Sequence, residues 1–328
     1  MKKSELYNLM GIHLGLAVEA HDLLRGEAGG EIPGVKMEEN AFENGTIKVV
    51  TILDEQGAQM MGRPVGSYIT LETAALRDNN KDAHKNVGEI LAQNLQEILP
   101  LKPDSTILVI GLGNWNATPD SLGPRVINLS MATRHLFQYA PEELRQGLRS
   151  VAVLSPGVLG ITGIETAEII KGTIDRIQPD MLICIDALAA GSVERINGSI
   201  QVATTGINPG SGIGNKRMGI NQENMGIPVI AIGVPTVVPA GIIAHQIIEE
   251  LFGSLQSAPG IRQAYHNLQP DAVNEIIGKI LEPFGGQLTV TPKEIDEHIS
   301  ATAKVIAMAL ALALHPGMPA DEVEHYIH

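Results

Sequence analysis

Four short apolar runs, at residues 106–110, 151–154, 181–185 and 228–232, recur along this chain with helix-like segments between several of them. Uninterrupted apolar runs of this length read as strands buried on both faces, as in the centre of a parallel sheet. The alternation therefore predicts an α/β fold with a mainly parallel sheet flanked by helices. Among the four, residues 179–190, PDMLICIDALAA, are distinctive because the run carries one carboxylate, Asp186. If the strand ends there, Asp186 emerges at the carboxyl edge of the sheet, where open α/β folds bind their ligands. A plain strand-end Asp that caps the following turn is the competing reading.

The rest of the chain arranges itself around that core. Residues 1–30 have helical spacing in parts and end in a Gly-rich turn, which predicts a peripheral arm or pro-segment. Residues 31–73 change to β-like runs at 47–53 and 68–71, with Asn44-Gly45 ahead of the first, and predict an antiparallel, β-rich elaboration. A helix is expected over 86–99 with Asn86 as its N-cap. Thr162 and Glu165 have capping-box spacing, followed by an apolar face of Ile164, Ala167, Ile170, Ile174 and Ile177. Thr291-Pro292-Lys293-Glu294 repeats the signal and opens a last helix toward Leu314. Without an internal repeat or low-complexity linker, residues 31–328 read as a single domain.

Composition narrows the functional classes. The 328 residues carry a net charge of −14, against a general binder of nucleic-acid backbone. One cysteine, Cys184 in the buried run, leaves no disulfide framework and no Cys-based metal site, and fits a reducing, cytoplasmic compartment. Glu5, His13 and Glu19 interrupt any signal-peptide core. The apolar segment 305–314 is too short to span a bilayer and reads as a buried helix.

The first core strand runs into Gly111-Leu112-Gly113-Asn114, but the third glycine of a dinucleotide fingerprint would fall at Asn116. What remains is a tight turn that lets backbone approach a ligand, with Asn114 placed to orient a side chain or a water. Asp120 follows this turn and can return to the edge that carries Asp186; otherwise it starts the next helix. Two carboxyls at one edge cannot both ionise easily, so one keeps its proton while the other acts as base toward water. That chemistry hydrolyses amides with no metal or other cofactor. A metal site is the competing use, with His135 as its nearest additional ligand and a structural His as the plainer reading. A Gly-dense loop at 206–217, with Gly210, Gly212, Lys216 and Arg217, has amides that suit an anion or an extended peptide. It lacks the Gly-Lys-Ser/Thr order of a P-loop.

Taken together these segments resemble the germination protease family of spore-forming bacteria. The resemblance is carried by Gly111-Leu112-Gly113-Asn114 with Thr118-Pro119-Asp120-Ser121-Leu122-Gly123-Pro124, by Ile185-Asp186-Ala187-Leu188-Ala189-Ala190, by Pro209-Gly210-Ser211-Gly212 with Gly214-Asn215-Lys216-Arg217, and by residues 226–238. It covers most of the chain in order. It implies a fold like that of the hydrogenase-maturation endopeptidases, and an endopeptidase of the spore core that degrades small acid-soluble spore proteins. It also implies a homotetramer made as a zymogen, with no membrane or direct nucleic-acid partner. Asp120 and Asp186 correspond to the family's proposed catalytic pair, and Asn114, Gly210, Gly212, Lys216 and Arg217 are the expected substrate-binding residues. A metal-dependent maturation-type peptidase and a non-catalytic peptide-binding homologue are the alternatives. Three departures stand out: Gly15 where an acidic residue precedes the family's processing point, Gly191 where Arg is usual, and Pro239 where Asp is usual.

Overall fold

The computed structural model describes residues 14–28, 30–208, 218–254, 270–285 and 288–327. The chain opens with α1 (Ala17–Ala28), the hairpin β1 (Val35–Phe42) and β2 (Gly45–Ile52), α2 (Glu55–Met61), β3 (Gly66–Glu72) and α3 (Lys81–Ile98). Its middle contains β4 (Thr106–Gly111), α4 (Leu122–Leu129), α5 (Arg134–Tyr139), β5 (Ser150–Leu154), α6 (Leu159–Thr162), α7 (Thr166–Ile177), β6 (Met181–Ala189) and β7 (Ser199–Ala203). The remainder is α8 (Gln222–Met225), β8 (Val229–Pro239), α9 (Ala240–Ser254), α10 (Pro270–Leu281), β9 (Thr289–Val290), α11 (Ile295–Leu314) and α12 (Ala320–Ile327).

Eight strands lie in the order β1-β2-β3-β7-β8-β6-β4-β5, and β9 adds to the end of β8. The four apolar runs form the parallel part, β5-β4-β6-β8. From β8 outward through β7, β3, β2 and β1 every pairing is antiparallel. The expected N-terminal β-rich elaboration therefore continues the same mixed sheet, joined by β7. The sequence signal of this strand is weak, because Ser199-Ile200-Gln201-Val202-Ala203 is short and holds a polar residue at its centre.

Alternation along the strands sends side chains to two faces. One face buries Val109, Ile183, Ile185, Ile230 and Ile232 under α3, α4 and α11. Helix α11 is long and apolar enough to cross a membrane, but twelve of its residues are buried and it packs along α3 as a core helix. The other face buries Leu108, Ile110, Leu182 and Cys184 under α7, and farther along it buries Val50, Tyr68 and Ala203 under α1 and α2. Cys184 is fully enclosed, and burial, aided by Asp186, pushes its thiol far above the usual range.

Three helix starts differ from the sequence expectation. Asn80, not Asn86, caps α3 by accepting from the Ala83 amide, while Asn86 lies inside the helix and accepts from Asn44. Thr162 spends its hydroxyl on the Ile164 amide, and Gly163 at φ +71° ends α6, so α7 begins at Thr166 and Ile164 is exposed. Thr291 donates its hydroxyl to Thr236 O, so α11 starts three residues beyond Pro292. Residues 14–19 also depart from the expected peripheral arm: Leu16, Ala17 and Val18 are fully buried.

Candidate active site

Asp186 does not terminate its strand, as the apolar run implied. β6 continues to Ala189 because β8 extends with it, and Asp186 pairs with Gly233. It is β4 that stops: Gly111, its last residue, lies beside Ile185. Asp186 therefore sits just beyond the end of β4, flanked by strand on one side and by a loop on the other. The carboxylate is buried, and its Oδ1 accepts from the Ala187 amide at 3.0 Å.

The loop beyond β4 is organised by Asp120. The Leu112 amide donates to Ile185 O, after which Gly113, at φ +114°, turns the chain. A Cβ there would lie 2.0 Å from Asp120 O, so the close return of the loop requires glycine. The Asn114 amide then donates to both Asp120 Oδ2 at 2.8 Å and Asp120 O at 3.1 Å. The Asn114 side chain accepts from the Asn116 amide, holding the turn that presents Trp115. Asp120 closes the 3₁₀ turn Thr118–Asp120, which packs against both β6 and β8. The tight turn and the acid that follows it thus come back to the sheet edge where Asp186 stands.

Across the sheet from Asp186 the register lines up Gly233, Gln201, Thr70 and Lys48 on the same face. This row was not legible without the pairing of β7. Gln201 is buried and uses both ends of its amide on the N-terminal arm: Oε1 accepts from the Ala17 amide at 2.6 Å, and Nε2 donates to Gly15 O at 3.4 Å. Arg63 Nη2 donates to Leu14 O at 2.6 Å. The segment 14–19 therefore lies along the polar row, beside the end of β6.

Two of the departures noted from the resemblance meet in this contact. A Cβ at Gly15 would lie 2.6 Å from Ala189 O, and one at Gly191 would lie 2.5 Å from Leu14 Cδ2 and 3.1 Å from Glu19. Glu19 is buried and accepts from the Gly191 amide at 2.8 Å, with Arg195 Nε 3.6 Å away. Arg195 also reaches Asp22 and Glu72, and Glu72 reaches Lys48 at 2.7 Å. Burial outweighs Arg195 and the backbone donors and raises the Glu19 pKa.

Of the other expected site residues, Gly210, Gly212, Lys216 and Arg217 lie outside the described residues. The stem of their loop is described: Ile207 and Ile220 exchange both backbone hydrogen bonds and pack with Cys184 and Leu112, on the face that carries Asp186. His135 is exposed on α5. Among the described residues no group of three or more His, Cys, Asp or Glu is placed to hold a metal ion.

The germination protease family model matches residues 17–259 and 263–327. Germination protease of Caldanaerobacter subterraneus is 47% identical over 324 residues, covering 98% of this chain and 99% of the relative. Those of Clostridium tetani and Bacillus subtilis are 42% and 39% identical, covering 97% and 100% of this chain and all of each relative. Among solved structures, a hydrogenase maturation protease, HycI, of Thermococcus kodakarensis overlaps 66% of this chain and 98% of its own at 16% identity, with a TM-score of 0.34. The family rests on the family model and the sequence relatives, which span nearly the whole chain: this chain belongs to the germination protease family of peptidases.

Proposed function

We propose that the chain is an endopeptidase that initiates degradation of small acid-soluble spore proteins during germination, with Asp120 and Asp186 as its catalytic pair. One carboxylate takes a proton from water as the oxygen attacks the scissile carbonyl. The other, protonated, donates to the carbonyl oxygen, and collapse of the tetrahedral intermediate passes a proton to the leaving amine. The observation that carries this reading is the return of the turn that ends in Asp120, closed by its own carboxylate, to β6, where β4 stops beside Ile185 and Asp186 follows.

The surroundings suit a peptide. Asn114 fixes the turn, and the stem of the 206–220 loop borders the same face, so Gly210, Gly212, Lys216 and Arg217 are assigned to substrate binding, the two cations to acidic side chains of the substrate. Zymogen processing, a homotetramer and action in the spore core belong to the same proposal.

The test is cleavage of a purified small acid-soluble spore protein by the full-length chain, beside Asp120→Asn and Asp186→Asn, with and without EDTA. Each substitution is expected to lower turnover by about 10²- to 10⁴-fold, and EDTA to leave it unchanged. Full activity in either variant removes that aspartate from the mechanism. Inhibition by EDTA, reversed by one added metal, would replace the pair with a metal-dependent reaction.

A further inference from the structure

Several apolar side chains near the candidate site are not used by the catalytic proposal. Trp115, the only tryptophan, is 57% exposed. Ile161 and Ile164 are 57% and 48% exposed. Trp115 stands on the loop that leaves β4 at its carboxyl end, and Ile161, on the short helix α6, and Ile164, just after it, stand on the connection that leaves the adjacent parallel strand β5. The loops are tied together, since Ser155, the first residue after β5, donates its hydroxyl to Gly111 O at 3.3 Å. The second loop leads to α7, which covers the face that carries Cys184 and Asp186, so both loops border that face.

Neither loop is loosely held. The Trp115 turn is pinned by Asp120 and Asn114, and the Ile164 turn by Thr162, whose hydroxyl accepts from the Ile164 amide and donates to Ile164 O. A fixed backbone that turns large apolar side chains to solvent forgoes their burial, about 1.5–3 kcal/mol for each such side chain that could be enclosed. Apolar surface held out in this way at the mouth of a site is what a partner covers.

We propose that Trp115, Ile161 and Ile164 form an apolar rim that seats aliphatic side chains of the extended peptide substrate, on the part of it that crosses the ends of β4 and β5. The proposal rests on the reading of Asp120 and Asp186 as the catalytic pair, because that pair fixes where the peptide runs. The rim recognises its ligand by shape and apolarity. Trp115 contributes most because it offers the largest rigid face.

The experiment has two arms. In the first, kcat and KM are measured for two amidated dodecapeptides, one rich in Leu and Ile and its counterpart with Ser at those positions. The enzymes are the wild type, Trp115→Ala and Ile161→Ser. Each substitution is expected to raise KM for the apolar peptide about tenfold and to leave kcat unchanged, with no effect on the Ser peptide. Equal losses on both peptides, or none on either, overturn the rim. In the second arm the emission of the lone tryptophan is followed in Asp186→Asn as each peptide is added, which needs no turnover. A saturable blue shift with the apolar peptide alone supports the rim. An emission that neither peptide moves, or one already blue before peptide is added and shifted red by dilution, overturns it; the latter assigns the surface to a second copy of the chain. If the wild type cleaves nothing, the catalytic reading fails while the emission arm still decides the rim.

Discussion

The segment 14–19, a strap along the polar row, and the rim of Trp115, Ile161 and Ile164 both border the carboxyl end of the sheet near Asp186. They are built on opposite principles. In the strap Leu16, Ala17, Val18 and Glu19 are buried, the backbone is read by Gln201 and Arg63, and glycine at 15 and 191 lets two segments approach with no space for a Cβ. In the rim the backbone is fixed but the side chains face solvent. Substitution in the strap therefore falls on stability, because the Ala17 amide, the Gly15 carbonyl and the Glu19 carboxylate hold partners that would be left behind. Substitution in the rim should fall on the substrate, because the fold does not use those side chains.

Gly15→Asp is the change that should break this contrast most severely. It restores an acid of the kind the resemblance expects, but its Cβ would press on Ala189 O and its carboxylate would enter a partly buried site. Overpacking and unpaired charge together are expected to cost about 3 kcal/mol, read as a lowered melting temperature and as faster cleavage by added trypsin after Arg25, in the helix that follows the strap. An unchanged melting temperature would mean that the strap shifts to accept a side chain. Gln201→Ala comes next. It leaves the buried Ala17 amide without its acceptor, which costs about 1–3 kcal/mol, and urea unfolding should report the loss. A variant as stable as the wild type would show that another group satisfies the amide.

Much of this architecture was legible in the sequence for a simple reason. Strands buried on both faces require apolar runs, so 106–110 and 181–185 declare themselves from composition alone. The strap was not legible, because its hold depends on Gln201 meeting Ala17 from 184 positions away. Helix starts misled where a capping side chain had a better tertiary use, as Thr291 has at Thr236 O. The apolar run ending in Asp186 marked a sheet edge correctly in kind but not in position. Strand length is set by partners: β8 prolongs β6 past Asp186, while β4 stops beside Ile185.

Glu19 makes the strap sensitive to pH in a direction the rim cannot share. Its folded-state pKa lies above the ordinary 4.5, burial being the largest cause and Arg195 the main opposition. The stabilising contribution is therefore complete below 4.5 and is lost as the pH climbs through the raised value. Melting temperatures of the wild type and Glu19→Gln across this window should diverge, the wild type losing more as the pH rises. Parallel profiles would show that Arg195 compensates the burial fully.

The smallest stability effect belongs to Trp115→Ala, and it is the one that sharpens the contrast. A side chain already 57% exposed has little burial to lose, so the melting temperature should move by no more than about 0.5 kcal/mol would shift it. The same substitution is expected to raise KM for the apolar peptide. A variant that lost stability and substrate together would make Trp115 a structural residue of the Asp120 turn, and the two regions would then differ in degree only. Retained stability with weakened binding separates them, because a side chain that the fold does not need and the substrate does is a recognition residue.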